Sequence, residues 1–291
     1  MGQLTLVLKL SAEEQERLRT RMAGGIFEYR SAPYAKFNAR GEGVIVTLYD
    51  SGKLVIQGND PTTFAQKYLE RSEEPADLTG LPEVGARILV GSDEAGKGDY
   101  FGSLVVAAVR VDSAQRREIH SAGAIDSKKL SDDRVRRLAP ALEERYDHAL
   151  ELLDPSAYNA EYGRFGSLNP LLAELHARAI KRLAKPGDVV LIDRFGDERL
   201  VSRRLEGLDL DIHHSPRAER EPAVAAASVI ARGAFLARLK ALAEEYAVDL
   251  PKGAGSLVDE AARRFIQIHG FQAIGKVAKI HFKNTERLRN A

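Results

Sequence analysis

The chain has 291 residues, which is enough for one large domain or two domains of ordinary size. Hydrophobic residues make up 44% of it and charged residues 29%, as in a globular protein with a core, and the absence of cysteine excludes disulfides, thiolate metal sites and cysteine nucleophiles. The formal net charge is +1, so any affinity for nucleic acid must come from local patches. The apolar runs are too short to span a bilayer and no signal or lipidation motif is evident, so we expect a cytoplasmic protein.

The first 72 residues predict a small α+β domain. An alternating strand, a capping box at Ser11 and Glu14 that opens a helix, a meander of three strands and a second helix follow one another. The predicted elements span residues 4–10, 12–22, 35–38, 43–49, 53–57 and 62–70. An antiparallel sheet with helices on one side leaves its other face uncovered.

The segment from Leu48 to Gly58 resembles one repeat of the TATA-binding protein fold. That resemblance implies a sheet face that packs on a nucleic-acid groove. The aromatic and basic side chains that would serve such a face are Tyr29, Arg30, Tyr34, Lys36, Phe37, Arg40 and Lys53. The alternative, in which the aromatic rings are core and the charges are solvated, stays open for each of them.

Residues 73–86 predict a linker, because they are polar, contain Pro75 and Pro82, and show no periodicity. The sequence therefore predicts a substrate-binding domain over residues 1–72 and a catalytic domain over residues 87–291.

The second domain begins with two buried strands, predicted over residues 88–90 and 104–109, joined by a glycine-rich turn. Asp93 and Glu94 follow the first strand, and the turn Gly96-Lys97-Gly98 comes directly after them. Because adjacent strand residues point to opposite faces, two acids beside a covered sheet need positively charged partners. A divalent cation that prefers oxygen ligands, Mg²⁺ or Mn²⁺, is the simplest such partner.

Two phosphate-binding motifs are excluded for this stretch. Gly91, Gly96 and Lys97 nearly form a P-loop, but Gly98 stands where Ser or Thr is needed, and the two acids inside the loop would repel phosphates. The dinucleotide fingerprint misses its third glycine by one residue, since Gly102 stands one position too far along. A tight hairpin with exposed acids remains the open alternative.

A possible phosphate site precedes the next predicted helix, residues 132–145, which Ser131 caps. Ser127 and Lys128 lie at the positive end of this helix, just after Asp126. An exposed basic turn is the alternative at this place.

A third acid ends another buried strand. Asn169 and Pro170 predict the start of a helix that runs to about residue 184, and the apolar run that follows ends in Asp193. A helix followed by such a strand predicts a parallel crossover, whose carboxyl end is where open α/β sheets build sites.

Two further features stand near the end of the chain. Glu219 comes just before an alanine-rich helix over residues 223–245, which is suited to close packing on a sheet. His213 and His214 are a weak candidate for a transition-metal site, since adjacent strand residues face opposite ways. Residues 263–291 are basic with interleaved phenylalanines, which fits either contacts to a nucleic-acid backbone or a solvated helix.

Taken together, residues 87–291 closely resemble bacterial ribonuclease HIII, and the front segment resembles the TATA-binding-protein-like domain of that family. The matching motifs are Gly91-Ser-Asp93-Glu94-Ala-Gly96-Lys97-Gly98-Asp99-Tyr-Phe-Gly102, Asp126-Ser127-Lys128-Lys129-Leu130, Ile192-Asp193-Arg-Phe195, Arg217-Ala-Glu219 and His281-Phe282-Lys283-Asn284-Thr285. The resemblance implies an α/β fold, a ribonuclease H-like mixed sheet flanked by helices, behind the small α+β domain.

The resemblance also implies the roles of the site residues. Asp93, Glu94, Asp193 and Glu219 correspond to four catalytic, metal-binding carboxylates, and a glutamate in the fourth place favours ribonuclease HIII over HII. Gly96, Lys97 and Gly98 correspond to the turn that reads ribose 2′-hydroxyls, and Asp126, Ser127 and Lys128 to a substrate-contacting loop. Two positions depart from the family pattern: Arg217 stands where lysine is expected, and Lys97 where many relatives have arginine.

The implied activity is endonucleolytic hydrolysis of the RNA strand of RNA/DNA hybrids. Two Mg²⁺ or Mn²⁺ ions held by the carboxylates would serve the attacking water and the departing 3′ oxygen, leaving 5′-phosphate and 3′-hydroxyl ends. The 2′-hydroxyl is the atom that distinguishes RNA from DNA. We expect a monomer whose partner is the hybrid and not a membrane; a non-catalytic hybrid-binding module is the rival class.

Overall fold

A computed structural model describes residues 4–23, 25, 27–58, 61–69, 84–121 and 130–289. The chain divides into two compact units, residues 1–77 and residues 78–291. Most of the predicted linker lies outside the described residues, so the limits of the two domains stay a prediction. We describe each unit by itself.

The front unit is a small α+β domain. Its elements are β1 (Leu4–Lys9), α1 (Ala12–Met22), β2 (Glu28–Arg30), β3 (Ala35–Gly41), β4 (Val44–Tyr49), β5 (Lys53–Gly58) and α2 (Pro61–Leu69). The strands pair antiparallel in the order β1-β5-β4-β3-β2. The capping box at the start of α1 is present as predicted. The sequence does not predict β2, because its three residues are all exposed and carry no apolar alternation.

One face of this sheet is covered by the two helices. Leu54 and Ile56 of β5 are buried beneath them together with Leu18 of α1 and Phe64 of α2, while Lys53 is exposed. This alternation is the period-two pattern of a half-buried strand, so β5 alone shows which face of the sheet is covered.

The second unit is built around a mixed five-stranded sheet. Its elements are β6 (Leu89–Ala95), β7 (Leu104–Val111), α3 (Ser113–Ser121), α4 (Asp132–Arg145), β8 (Asp147–Leu153), α5 (Pro155–Phe165), α6 (Leu168–Leu183), β9 (Val189–Asp193), α7 (Arg199–Ser202), β10 (Asp211–Ser215), α8 (Pro222–Tyr246), α9 (Ser256–His269) and α10 (Lys283–Arg289). The strand order is β10-β9-β6-β7-β8; β9 runs parallel to β6 and β10, whereas β7 runs antiparallel to β6 and β8. The predicted α/β fold with a mixed sheet flanked by helices is confirmed.

Helices cover both faces of this sheet and create two cores. One core joins the sheet to α8 and its neighbours, and the other joins it to α6. Gly91 allows α8 to lie directly on β6, because a Cβ at this position would stand 2.3 Å from the backbone nitrogen of Val224. By length and composition α8 would suffice to cross a membrane, but 78% of its apolar window is buried. It is a core helix.

The start of α6 differs from the prediction. The helix begins at Leu168 with Ser167 as its N-cap, two residues before the predicted cap Asn169. Pro170 is compatible with this start, because the first turn of a helix has no intrahelical partner for its N–H groups.

Candidate active site

Asp93 and Glu94 lie within β6 itself, which continues through Ala95 beyond the predicted strand. Side chains alternate along this strand: Leu89 packs in the core that contains α8, and Val90 in the core that contains α6. The two adjacent acids therefore point to opposite faces of the sheet, as the sequence predicts.

Asp93 is buried on the α8 side of the sheet, with 6% of its surface exposed. Its Oδ1 accepts a hydrogen bond of 2.8 Å from the backbone nitrogen of Glu94. Burial and the charge of Glu94 raise the pKa of Asp93 well above its usual range; a hydrogen bond from Ser228 of α8 lowers it, and the charge of Asp193 raises it further. Ionising Asp93 in the folded protein therefore costs free energy.

Glu94 lies on the α6 side and meets two basic groups. Its Oε1 accepts from the Lys97 ammonium at 2.5 Å, and its Oε2 lies 3.3 Å from Nε2 of His176. Burial raises the pKa of Glu94, but the hydrogen bond and charge of His176 and then Lys97 outweigh it and lower the pKa to about 2. His176 and Lys97 therefore hold Glu94 in its ionised form.

Asp193 ends β9 beside Asp93. Ser92 pairs with Ile192 across the two parallel strands, so the next residue of each strand is one of the two aspartates. Oδ1 of Asp193 accepts a 2.9 Å hydrogen bond from the backbone nitrogen of Ala218, which begins the 3₁₀ turn Ala218–Arg220. This bond ties that turn to the end of β9.

The same turn carries Glu219, which is buried and directly follows the residue bonded to Asp193. Arg217, just before the turn, adopts a left-handed conformation with φ of 59°, which is uncommon for a residue with a side chain. Glu221, two residues beyond Glu219, instead pairs with Arg116 of α3 at 3.0 Å. Of the two nearby glutamates, Glu219 is therefore the one placed next to Asp193.

The donor set fits a divalent cation by its chemistry and its place in the sheet. Carboxylate oxygens are the ligands that Mg²⁺ and Mn²⁺ prefer, and a bound cation would offset the repulsion that raises the pKa of Asp93. As the side chains stand, no group of three or more acids and histidines among the described residues forms a cluster that would hold an ion. Glu94 contributes to this, since its two oxygens are turned to Lys97 and His176.

The turn Gly96-Lys97-Gly98 contains two glycines with different requirements. Gly96 has φ of +85°, and a Cβ there would lie 2.2 Å from the carbonyl oxygen of Ser103. At Gly98 an added Cβ would have no atom of the described residues within 4 Å. Packing of the described fold therefore requires glycine at position 96. At Gly98 the backbone is open to close approach.

A buried lysine that the sequence pattern does not distinguish bonds to the backbone of the segment just after this turn. Lys279 is fully buried, and its ammonium donates to the carbonyl oxygens of Asp99 at 3.0 Å and Gly102 at 2.6 Å. On the other side, the carboxylate of Asp99 accepts from the backbone nitrogen of Gly253 at 2.6 Å. The basic closing segment thus contributes one of its lysines to the interior of the fold.

Other predicted site residues lie apart or outside the described chain. Asp126, Ser127 and Lys128 fall outside the described residues, so their substrate role stays a prediction. Nε2 of His213 lies 2.6 Å from Oδ1 of Asp211, and no metal-binding cluster forms around either histidine in the described part of the molecule.

The front unit gathers some of its aromatic and basic residues around one pocket. Its lining residues come from the end of α1 and from the β2–β3 edge: Arg19, Ala23, Tyr29, Arg30, Ser31, Lys36 and Phe37. Arg40 and Lys53 do not line this pocket. Arg40 follows the core residue Ala39 and Lys53 precedes the core residue Leu54, so both side chains point from the uncovered face of the sheet. The expected nucleic-acid surface is therefore divided between an edge pocket and the uncovered face.

Comparison with known proteins agrees with this architecture. The family model for ribonuclease HII matches residues 90–285, and that for a domain of unknown function, DUF3378, matches residues 5–78. Ribonuclease HIII of Chlamydia pneumoniae is 37% identical over 289 residues, covering 97% of each chain. Ribonuclease HIII of Streptococcus thermophilus is 36% identical over 293 residues, again covering 97% of each.

Among solved structures, the crystal structure of Bst-RNase HIII in complex with Mn²⁺ matches with a TM-score of 0.69 at 34% identity, covering 99% of this chain and 98% of that one. The resemblance seen in the sequence motifs is confirmed along almost the whole chain. This chain therefore belongs to the ribonuclease HIII family.

Proposed function

We propose that the chain is an endoribonuclease that hydrolyses the RNA strand of RNA/DNA hybrids with two divalent metal ions, Mg²⁺ or Mn²⁺, and leaves 5′-phosphate and 3′-hydroxyl ends. The observation that carries this proposal is the placement of buried Asp93 beside Asp193 at the ends of neighbouring parallel strands. Membership of the ribonuclease HIII family and the Mn²⁺ complex of a related structure support it.

The four carboxylates would act as the ligands of the two ions. When bound, the ions lower the pKa of the attacking water and stabilise negative charge on the departing 3′ oxygen. Asp93 and Asp193 supply oxygens from the ends of two hydrogen-bonded strands, and Glu219 from the turn fixed to Asp193. Glu94 joins them from the opposite face of β6. Ligands on paired strands hold their positions more accurately than ligands on free loops.

The turn before β7 would select RNA. Gly98 leaves its backbone open to close approach, so its peptide groups are available for hydrogen bonds to a ribose 2′-hydroxyl. Lys97 lies at the same turn and carries a positive charge suited to the adjoining phosphates. Asp126, Ser127 and Lys128 would contact the same strand.

The front unit would bind the hybrid and raise its local concentration at the carboxylates. Tyr29 and Phe37 lie edge to face with ring centroids 6.0 Å apart, beside Arg19 and Lys36 in the edge pocket. An aromatic pair flanked by cations suits a nucleic-acid backbone and an exposed base. We also propose that the protein acts as a monomer in the cytoplasm. Size-exclusion chromatography with light scattering would test the oligomeric state.

Cleavage of a labelled RNA/DNA hybrid in Mg²⁺, beside RNA/RNA and DNA/DNA duplexes of the same sequence, tests this function. We expect cutting of the RNA strand of the hybrid, with 5′-phosphate ends that a 5′-phosphate-dependent exonuclease degrades. A duplex with one embedded ribonucleotide should be cut poorly. Tight binding of the hybrid without any cleavage would identify a non-catalytic binding module instead.

A further inference from the structure

His176 is a fully buried histidine on α6 that touches two residues of β6. Its Nδ1 lies 2.8 Å from Oγ of Ser92, and its Nε2 lies 3.3 Å from Oε2 of Glu94. The ring also stacks on Phe195, with centroids 4.8 Å apart and planes 11° from parallel. A buried imidazole is costly unless its nitrogens are bonded, and here both nitrogens have partners on one strand.

The register of β6 explains how one ring reaches both residues. Ser92 and Glu94 are two positions apart, so they share the face of the sheet that α6 covers, while Asp93 between them points to α8. His176 therefore contacts the carboxylate of Glu94 without contacting Asp93.

The hydrogen-bond partners of Ser92 determine what the ring does. The Ser92 hydroxyl donates its one proton to the carbonyl oxygen of Ala107 at 2.9 Å, which leaves the hydroxyl oxygen to accept from Nδ1 of His176 at 2.8 Å. The carboxylate oxygen of Glu94 can only accept, so Nε2 of His176 is the donor to it. Ser92 and the stacked Phe195 together fix the plane of the ring.

We infer that His176 is a positioning residue: it donates from Nε2 to Oε2 of Glu94 and so holds that carboxylate with Oε1 turned to Lys97. The inference rests on the proposed function, in which Glu94 is a metal ligand. Oε1 is the oxygen that accepts from Lys97, so the two oxygens of Glu94 have separate tasks. Groups that orient a ligand in this way typically change metal affinity about 10- to 100-fold when removed.

The test compares two substitutions in the full-length protein. His176→Phe keeps a flat ring against Phe195 but cannot donate, whereas His176→Gln keeps an N–H donor at a similar reach. The primary measurement is the dissociation constant for Mn²⁺ alone, by calorimetry or by the electron paramagnetic resonance of free Mn²⁺, without substrate. Thermal unfolding and hybrid binding in EDTA are measured in parallel.

We expect His176→Phe to weaken Mn²⁺ binding about tenfold or more and His176→Gln to restore most of the loss, with hybrid binding in EDTA within about twofold of wild type. Wild-type Mn²⁺ affinity in a folded His176→Phe protein would overturn the inference. Equal losses in the Phe and Gln variants that follow their losses of thermal stability would overturn it too, since that pattern indicates packing alone.

A double substitution tests whether His176 acts through Glu94. In a Glu94→Gln background, His176→Phe should weaken Mn²⁺ binding no further, and an undiminished second loss would contradict the inference. If His176→Phe does not fold, Ser92→Ala decides, because it keeps the ring and removes the hydrogen-bond partner of Nδ1 that fixes its plane; unchanged Mn²⁺ affinity there would refute the inference. A wild-type protein that neither binds Mn²⁺ nor cleaves hybrid would refute the proposed function itself.

Discussion

Asp93 and Asp193 stand side by side at the ends of β6 and β9, one residue beyond the paired residues Ser92 and Ile192, and the charge of Asp193 adds to burial in disfavouring ionisation of Asp93. A fold gains no stability from two neighbouring carboxylates of which one is buried. Unfavourable burial and repulsion of carboxylates are expected where a site binds a positive charge.

Asp93→Asn is expected to abolish cleavage and to stabilise the fold. Because the folded-state pKa of Asp93 is raised, its ionised form lowers the free energy of unfolding as pH rises through that pKa, and the neutral amide does not. We expect the free energy of unfolding of the variant to exceed that of the wild type at pH 7, with a difference that shrinks toward pH 4, measured by denaturant unfolding. Undiminished cleavage, or a less stable variant at pH 7, would contradict this account.

Gly98→Ala and Gly96→Ala form a matched pair within one turn. At Gly98 the new methyl group meets no described atom within 4 Å, so the free energy of unfolding should stay within about 0.5 kcal/mol while the KM for hybrid rises. At Gly96 a left-handed φ and a contact at 2.2 Å should cost about 2 kcal/mol or more. A Gly98→Ala enzyme with wild-type KM would remove this glycine from substrate recognition.

Replacing Arg19 and Lys36 together by Ala should weaken hybrid binding and lower its dependence on salt. If each contacts one phosphate, the slope of log affinity against log salt should fall by about 2, with kcat nearly unchanged. Arg17→Ala is the control, because Arg17 is exposed on the same helix and is not among the residues that line the pocket. Equal effects of the control and the double variant would count against the pocket.

Deleting residues 1–72 should raise the hybrid dissociation constant much more than it lowers turnover.

Lys279 predicts a specific pH dependence of stability. Burial lowers the pKa of Lys279 to about 7, opposed only by the charge of Asp99. Between about pH 7 and pH 10 the unfolded chain binds a proton here that the folded chain does not, so raising the pH stabilises the fold. Relative to Lys279→Met, the wild type should gain about 2 kcal/mol between pH 7 and pH 9 in denaturant unfolding. A constant difference between the two proteins would show that Lys279 stays charged.

The sequence predicts the parts of the fold whose signal is local. The capping box of α1, the strand pair around the glycine turn and the crossover to β9 follow from period, caps and turn residues. His176 could not be found this way, because its role depends on α6 crossing β6, and nothing in its own helix distinguishes it from a core residue. Lys279 was hidden for the opposite reason: a lysine in a basic segment indicates solvent, and only tertiary packing shows that it is buried.

The most direct test of the central claim is a crystal structure of the full-length protein grown with Mn²⁺ and recorded for anomalous scattering. We predict a Mn²⁺ peak about 2.0–2.3 Å from oxygens of Asp93 and Asp193, with Glu94 or Glu219 completing the set of protein ligands. Mn²⁺ bound elsewhere, with Asp93 and Asp193 making no contact to it, would contradict the claim.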